Sequence, residues 1–119
     1  MRRQYTLLLV EDDPDIRDAV TGLLSEHGFL VLAASDADEA IRLLAEHRVD
    51  LLFTDVVMPG IGGYELAERA RAMCGDLRVL YMTGDAAQTR GRGIRYGKIL
   101  QKPVRADELL VEVTQALSG

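Results

Sequence analysis

Three carboxylates, a hydroxyl and an ammonium stand at the ends of short apolar runs in this chain. Leu7-Leu8-Leu9-Val10 is closed by Glu11-Asp12-Asp13, and Leu51-Leu52-Phe53-Thr54 by Asp55. The run from Arg78 to Met82 is closed by Thr83, and Ile99-Leu100-Gln101 by Lys102-Pro103. A carboxylate in such a place sits at the mouth of a buried strand. If the runs are parallel neighbours in one sheet, Glu11, Asp12, Asp55, Thr83 and Lys102 converge on one edge. Unpaired carboxylates there repel by roughly 4 kcal/mol per pair at about 4 Å and an effective dielectric near 20. Such a cluster draws a divalent cation, and hard oxygen ligands with open positions suit Mg2+. Bound Mg2+ attracts phosphate and neutralises charge that develops in phosphoryl transfer. A carboxylate can also be the nucleophile, forming an aspartyl phosphate. Lys102 then offers a fixed positive charge to one phosphoryl oxygen, and Thr83 a hydroxyl to another.

An alternation of strands and helices must bring these groups together. Tyr5 to Val10 reads as a buried strand. Asp13-Pro14 opens a helix with Asp as cap and Pro in the first turn; Ile16, Ala19, Val20, Leu23 and Leu24 keep helical spacing until Gly28. Phe29 to Ala34 is the second strand, and Ser35 with Asp38 starts the second helix in the manner of a capping box, carrying Ala40, Ile41 and Leu44. Leu51 to Thr54 is the third strand, and Tyr64 to Met73 the third helix with Leu66, Ala67 and Ala70 inward. Arg78 to Met82 and Lys98 to Gln101 are strands four and five. Ala106 to Leu117 is the last helix, with Leu109, Leu110, Val113 and Leu117 on its inner face. Near-continuous apolar strands between amphipathic helices predict an α/β fold whose parallel sheet is covered on both faces. Ligands of such sheets bind beyond the carboxyl ends of the strands, where the acids lie. The stretch from Gly84 to Gly97 is the weak element. Topology asks for a fourth helix there, but Gly91 and Gly93 each cost about 1 kcal/mol relative to Ala. A short or irregular helix that falls into loop near Gly91 is expected.

The bulk numbers bound the function. A chain of 119 residues is expected to form one domain over 1–119, with a core from about 5 to 118. A net charge of −5 argues against direct nucleic-acid binding. The single cysteine, Cys74, excludes an internal disulfide framework and fits a reducing cytosol, so a cytoplasmic location is expected. No apolar run approaches the roughly 20 residues of a membrane span, and the start lacks the features of a signal peptide.

The motifs Leu8-Leu9-Val10-Glu11-Asp12-Asp13, Thr54-Asp55-Val56-Val57-Met58-Pro59-Gly60, Tyr81-Met82-Thr83-Gly84 and Gln101-Lys102-Pro103 are each short, but in this order and spacing they are highly specific. From about Thr6 to Leu117 the chain resembles a response-regulator receiver domain of two-component signalling. The resemblance implies a flavodoxin-like, doubly wound five-stranded parallel sheet of order 2-1-3-4-5 with five helices. It implies that Asp55 accepts a phosphoryl group from a histidine kinase or a histidine phosphotransfer protein. Asp12 would ligate Mg2+ directly and Glu11 through water; Asp55 and the backbone carbonyl of Val57 would complete the protein ligands. Thr83 becomes the switch hydroxyl and Lys102 the bridge to the phosphoryl group, with a cis peptide at Lys102-Pro103. Asp13 fits a third acid position and is equally a helix cap. The output would be a shift of the surface made by helix four, strand five and helix five, controlling a downstream protein. The state implied is a monomer or a weak phosphorylation-linked dimer, and not an enzyme beyond its own phosphorylation and dephosphorylation.

Two departures stand out. Receivers commonly carry Tyr or Phe three residues before the lysine; here that coupling position is Ile99, which has no ring to swing. The approach to strand five is shortened to Arg95-Tyr96-Gly97-Lys98, which resembles stand-alone receivers and those of hybrid kinases. With its own Met1 and two residues beyond Leu117, a stand-alone receiver is expected. Arg90, Arg92, Arg95 and Lys98 form a local basic cluster where receivers dock partners. A phosphate-loop reading of that stretch fails, because no glycine lies five residues before Gly97 and Ile99 follows the lysine. His27 and His47 fall near helix C-termini, where positive charge is favourable. Two other functions compete: a receiver-shaped binding module that works without phosphorylation, and a haloacid-dehalogenase-like phosphatase. The latter needs Asp-x-Asp after strand one, where this chain has Glu11-Asp12-Asp13.

Overall fold

The structure, a computed structural model, describes residues 3–85, 87 and 96–118. In chain order the elements are β1 (Thr6–Val10), α1 (Pro14–Glu26), β2 (Leu30–Ala34), α2 (Ala37–Glu46), β3 (Leu51–Asp55), α3 (Gly63–Met73), β4 (Arg78–Thr83), β5 (Ile99–Gln101) and α4 (Ala106–Ser118). The strands form one sheet in the order β2-β1-β3-β4-β5, and every pair is parallel. This is the expected doubly wound sheet. Four helices lie among the described residues. The helix expected before β5 falls largely on residues 86 and 88–95, which are outside them, as are Arg90, Arg92 and Arg95.

Side chains alternate along the strands and build two cores. Leu8, Val10, Leu52, Val79 and Tyr81 face α2 and α3, where Ala40, Leu44, Leu66, Ala67 and Ala70 close the layer. Leu7, Leu9, Leu51, Phe53, Leu80 and Met82 face α1 and α4 and pack on Leu24, Leu109, Val113 and Leu117. All five residues of β3 are buried, as a central strand covered on both faces requires. Each fully buried Leu contributes about 2 kcal/mol relative to an exposed one, so the central strands are held firmly where the site is built.

α1 and α2 start on side-chain caps. Asp13 accepts from the amides of Asp15 and Ile16 at 2.9 and 3.4 Å, with Pro14 in the first turn, and Gly28 ends α1 in a left-handed conformation at φ 90°. The box that opens α2 differs from expectation. Asp36, not Ser35, is the cap and accepts from the Glu39 amide at 2.8 Å; Glu39, not Asp38, reaches back to the Ser35 amide at 2.8 Å. The glutamate's extra methylene provides the reach that Asp38 lacks. Met73, at the end of α3, is 45% exposed.

Register decides the functional edge. Val10 pairs with both Ala34 and Thr54, Asp55 with Met82, and Thr83 with Gln101. The carboxyl ends of β1, β3, β4 and β5 are therefore level. β3 and β4 each run one residue further than the sequence pattern suggests, so Asp55 and Thr83 belong to the strands and not to the turns after them.

Candidate functional site

Glu11 leaves β1 with its amide donating to the Ala34 carbonyl at 3.0 Å, and its side chain is fully buried. Its Oε2 accepts from the Asp13 amide at 3.0 Å, while Asp12 between them is exposed. Asp55 ends β3 and is 2% exposed. The next amide, Val56, donates to the Met82 carbonyl at 2.9 Å and so ties the acid's turn to β4. On the other side α3 begins against this turn. The Gly63 amide donates to the Val56 carbonyl at 2.8 Å, and a Cβ on Gly63 would lie 2.0 Å from the Asp55 carbonyl oxygen. Backbone cannot yield there as a flexible side chain can. Gly63→Ala is expected to lower stability by roughly 2–3 kcal/mol through overpacking, measured by urea denaturation; an unchanged midpoint would show that α3 can shift freely.

Lys102 joins the two buried acids. Its Nζ lies 2.6 Å from Glu11 Oε1 and 2.6 Å from Asp55 Oδ1. The first contact is an ion pair without hydrogen-bond alignment, and Asp55 Oδ2 is buried with no hydrogen-bond partner. Burial works against the ionised form of Glu11, yet Asp55, Lys102 and the Asp13 amide together hold its carboxyl down to about 2. Burial, then Glu11, pushes Asp55 up to about 8 although Lys102 pulls the other way. Burial disfavours the Lys102 ammonium, but Asp55 and Glu11 hold it above the usual lysine range. The two buried acids thus titrate as one coupled unit, with Glu11 held down and Asp55 pushed up.

One oxygen from each of Glu11, Asp12 and Asp55 lies within 4.8 Å of the others. A hard divalent cation fits this donor set. The Oδ2 of Asp55 is buried without a hydrogen-bond partner, and exposed Asp12 opens the cluster to solvent. Val57, two residues past Asp55, is 64% exposed.

The other expected residues are placed less centrally. Thr83 is 2% exposed at the end of β4, where its carbonyl accepts from the Lys102 amide at 2.7 Å. Its hydroxyl accepts from the Asp85 amide at 3.1 Å and so caps the following turn. Ile99 pairs in register with Tyr81 and packs on the core that contains it. Tyr81 stacks edge-on against Tyr64 of α3, with ring centroids 5.1 Å apart. An aromatic pair therefore stands one strand away from the aliphatic position, a neighbourhood that only strand order reveals. Lys98 is exposed and pairs with Glu112 of α4 at 3.3 Å. The Lys102–Pro103 peptide is cis. Two site neighbours escaped the sequence reading. Arg17 Nη1 donates to the Glu11 carbonyl at 2.9 Å, and Thr54 Oγ1 donates to the Asp55 carbonyl at 3.0 Å. A lone hydroxyl inside an apolar strand was the signal for Thr54; Arg17 left none.

Known proteins with this arrangement can be named. The family model described as the response regulator receiver domain matches residues 7–114. The response regulator receiver protein CpdR of Brucella abortus is 35% identical over 114 residues, covering 93% of this chain and 95% of that protein. The response regulator MprA of Mycobacterium leprae is 34% identical over 93% of this chain, which spans only 50% of MprA's length. Among solved structures, the signal receiver domain of an HD domain-containing protein from Pseudomonas fluorescens superposes with a TM-score of 0.88 at 30% identity, covering 98% of this chain and 96% of that one. The response regulator protein TrrA of Thermotoga maritima, solved in complex with Mg2+ and BeF, superposes with a TM-score of 0.85 at 27% identity, covering 96% of this chain and 100% of that one. Among the described residues, no helix is long and apolar enough to cross a membrane.

Proposed function

This chain belongs to the response regulator receiver domain family, and from that premise we propose that it is a phosphoacceptor switch with Asp55 as the acceptor. The observation that carries the reading is the buried Glu11–Lys102–Asp55 triad with Asp12 beside it. A histidine kinase or a histidine phosphotransfer protein supplies the phosphoryl group. A carboxylate oxygen of Asp55 attacks phosphorus, the bond to the donor breaks, and its electron pair leaves with the donor.

Asp12, Asp55 and the Val57 carbonyl would hold Mg2+, with Glu11 contributing through water. When bound, Mg2+ supplies charge that neutralises the phosphoryl oxygens. The chain's own residues do the rest. Lys102 is released from Asp55 as the phosphoryl group arrives and turns to one of its oxygens. Thr83, whose hydroxyl now receives the Asp85 amide, donates its proton to another. Both movements pull on β4 and β5. They bias the face made by β5, α4 and the segment before β5 toward one of two states, which a downstream protein reads. A tenfold change in population needs about 1.4 kcal/mol of differential interaction. Lys98 and, outside the described residues, Arg90, Arg92 and Arg95 are the candidate contacts of that partner. In a small acyl-phosphate donor the wild type should gain the mass of one phosphoryl group only when Mg2+ is present. No gain under any condition would refute the switch.

A second reading is favoured by Ile99 and by the engaged Thr83 hydroxyl: a binding module indifferent to phosphorylation. It predicts partner binding unchanged by beryllofluoride, whereas the switch predicts a change.

A further inference from the structure

Each of the two buried carboxylate residues has its own main-chain carbonyl held by a neighbouring side chain. On β1, Arg17 reaches back from α1 across the turn and donates to the Glu11 carbonyl at 2.9 Å. On β3, the fully buried Thr54 hydroxyl donates to the Asp55 carbonyl at 3.0 Å. We propose that Arg17 and Thr54 are positioning residues for the cation site, fixing the two peptide planes from which its carboxylates are presented. This rests on the reading that the acid edge binds Mg2+.

Peptide planarity gives the tethers their leverage. The Glu11 carbonyl shares a rigid plane with the Asp12 amide, so holding that oxygen sets the direction in which the exposed Asp12 leaves the strand. The Asp55 carbonyl shares a plane with the Val56 amide, and this plane is held at both ends. Its N–H donates to Met82 at 2.9 Å and its C=O receives Thr54. Gly63 closes the carbonyl's remaining side, since a Cβ there would stand 2.0 Å away. The next peptide plane leads to Val57. Lys102 lies between the two acids at their strand ends; a carbonyl anchored on each turn fixes the spacing of the turns without neutralising either acid. The Thr54 hydroxyl has one other neighbour, Met58 Sδ at 4.0 Å, which is a poor partner.

Charge and tether predict opposite signs for Arg17. A guanidinium beside a cation site repels the cation, so deleting it should tighten Mg2+ if its charge were what mattered. If its hydrogen bond matters, deleting it should weaken Mg2+. The experiment is a calorimetric Mg2+ titration of the wild type and of Arg17→Met, Arg17→Gln, Thr54→Val and Thr54→Ser, with thermal midpoints in chelator measured alongside. Arg17→Met and Thr54→Val are expected to bind about tenfold more weakly, the lower end of what lost outer-shell partners cost. Arg17→Gln keeps a donor without the charge, and Thr54→Ser keeps the hydroxyl; both should stay within about twofold of wild type, well under the roughly 1.4 kcal/mol of a tenfold change. Wild-type affinity in Arg17→Met and Thr54→Val overturns the proposal, even if their midpoints fall. Tighter binding in Arg17→Met overturns it for Arg17. Should Thr54→Val fail to fold, the Arg17 pair decides. A wild type that binds no Mg2+ at all refutes the metal reading itself, an outcome distinct from unchanged variants.

Discussion

Asp55→Asn is expected to lose all phosphoryl uptake and, in chelator at pH 7.5, to be more stable than the wild type by roughly 1–2 kcal/mol. The loss follows from chemistry, because an amide oxygen is no nucleophile toward phosphorus at neutral pH. The gain follows from linkage. Asp55 is an acid whose folded pKa is raised, to about 8, by burial and by Glu11. Its unfolded value is about 3.9. The folded state therefore holds the proton more tightly, and the stability this gives is full below about pH 4 and lost as pH rises toward 8. Asparagine has nothing to ionise and escapes that loss, but it forfeits the Lys102 contact at 2.6 Å, which limits the gain. Glu11 works in the other direction. Its carboxyl is held down to about 2, so its contribution is present above an unfolded value of about 4 and disappears as pH falls toward 2. Metal-free wild type should thus decline in stability from about pH 5 to 8, while Asp55→Asn stays flat. Thermal midpoints across that range check it, and parallel profiles would contradict it. In excess Mg2+ the order should reverse, since only the wild type gains binding free energy from the ion.

Lys102→Met should be the most damaging single change at the site, with about 3 kcal/mol of metal-free stability lost at pH 8. Removing one partner of a buried ion pair leaves the other charge uncompensated, and here a single ammonium, 20% exposed, serves two buried carboxylates. For a domain of this size the loss corresponds to a fall of roughly 10 °C in the midpoint. At pH 5 the effect should shrink, because Asp55 is then protonated and only Glu11 is left without its partner. A double variant with Asp55→Asn should recover part of the loss, because the second substitution removes one of the stranded charges. Equal destabilisation at pH 5 and pH 8 would mean that methionine disturbs packing and that the ion pairs matter little.

Both expectations depend on an edge whose composition was legible before any coordinates. The apolar runs, the acids Glu11, Asp12 and Asp55 that close two of them, and Lys102 before its proline can all be found by reading along the chain. The alternation of strands with amphipathic helices was equally plain, because hydrophobic periodicity is local and each element carries its own. Boundaries shifted by a residue at β3 and β4, and the cap of α2 moved from Ser35 to Asp36. Such details depend on which of several adjacent polar groups reaches an amide.

The elements, the parallel sheet and the list of groups gathered at its carboxyl edge follow from local pattern, since a strand's ending and its burial pattern are properties of a few consecutive residues. How those groups divide the work follows from packing in three dimensions. Two acids with similar side chains, Glu11 and Asp55, are driven in opposite directions: burial and Glu11 push Asp55 up, while Asp55, Lys102 and the Asp13 amide hold Glu11 down against its own burial. The tethers from Arg17 and Thr54, and the Tyr64–Tyr81 pair beside Ile99, arise in the same way. The Thr54 bond joins adjacent residues, but the Arg17 tether and the aromatic pair depend on distances between segments turned back upon or far from one another, and those are set by strand register and helix packing, which no local pattern records.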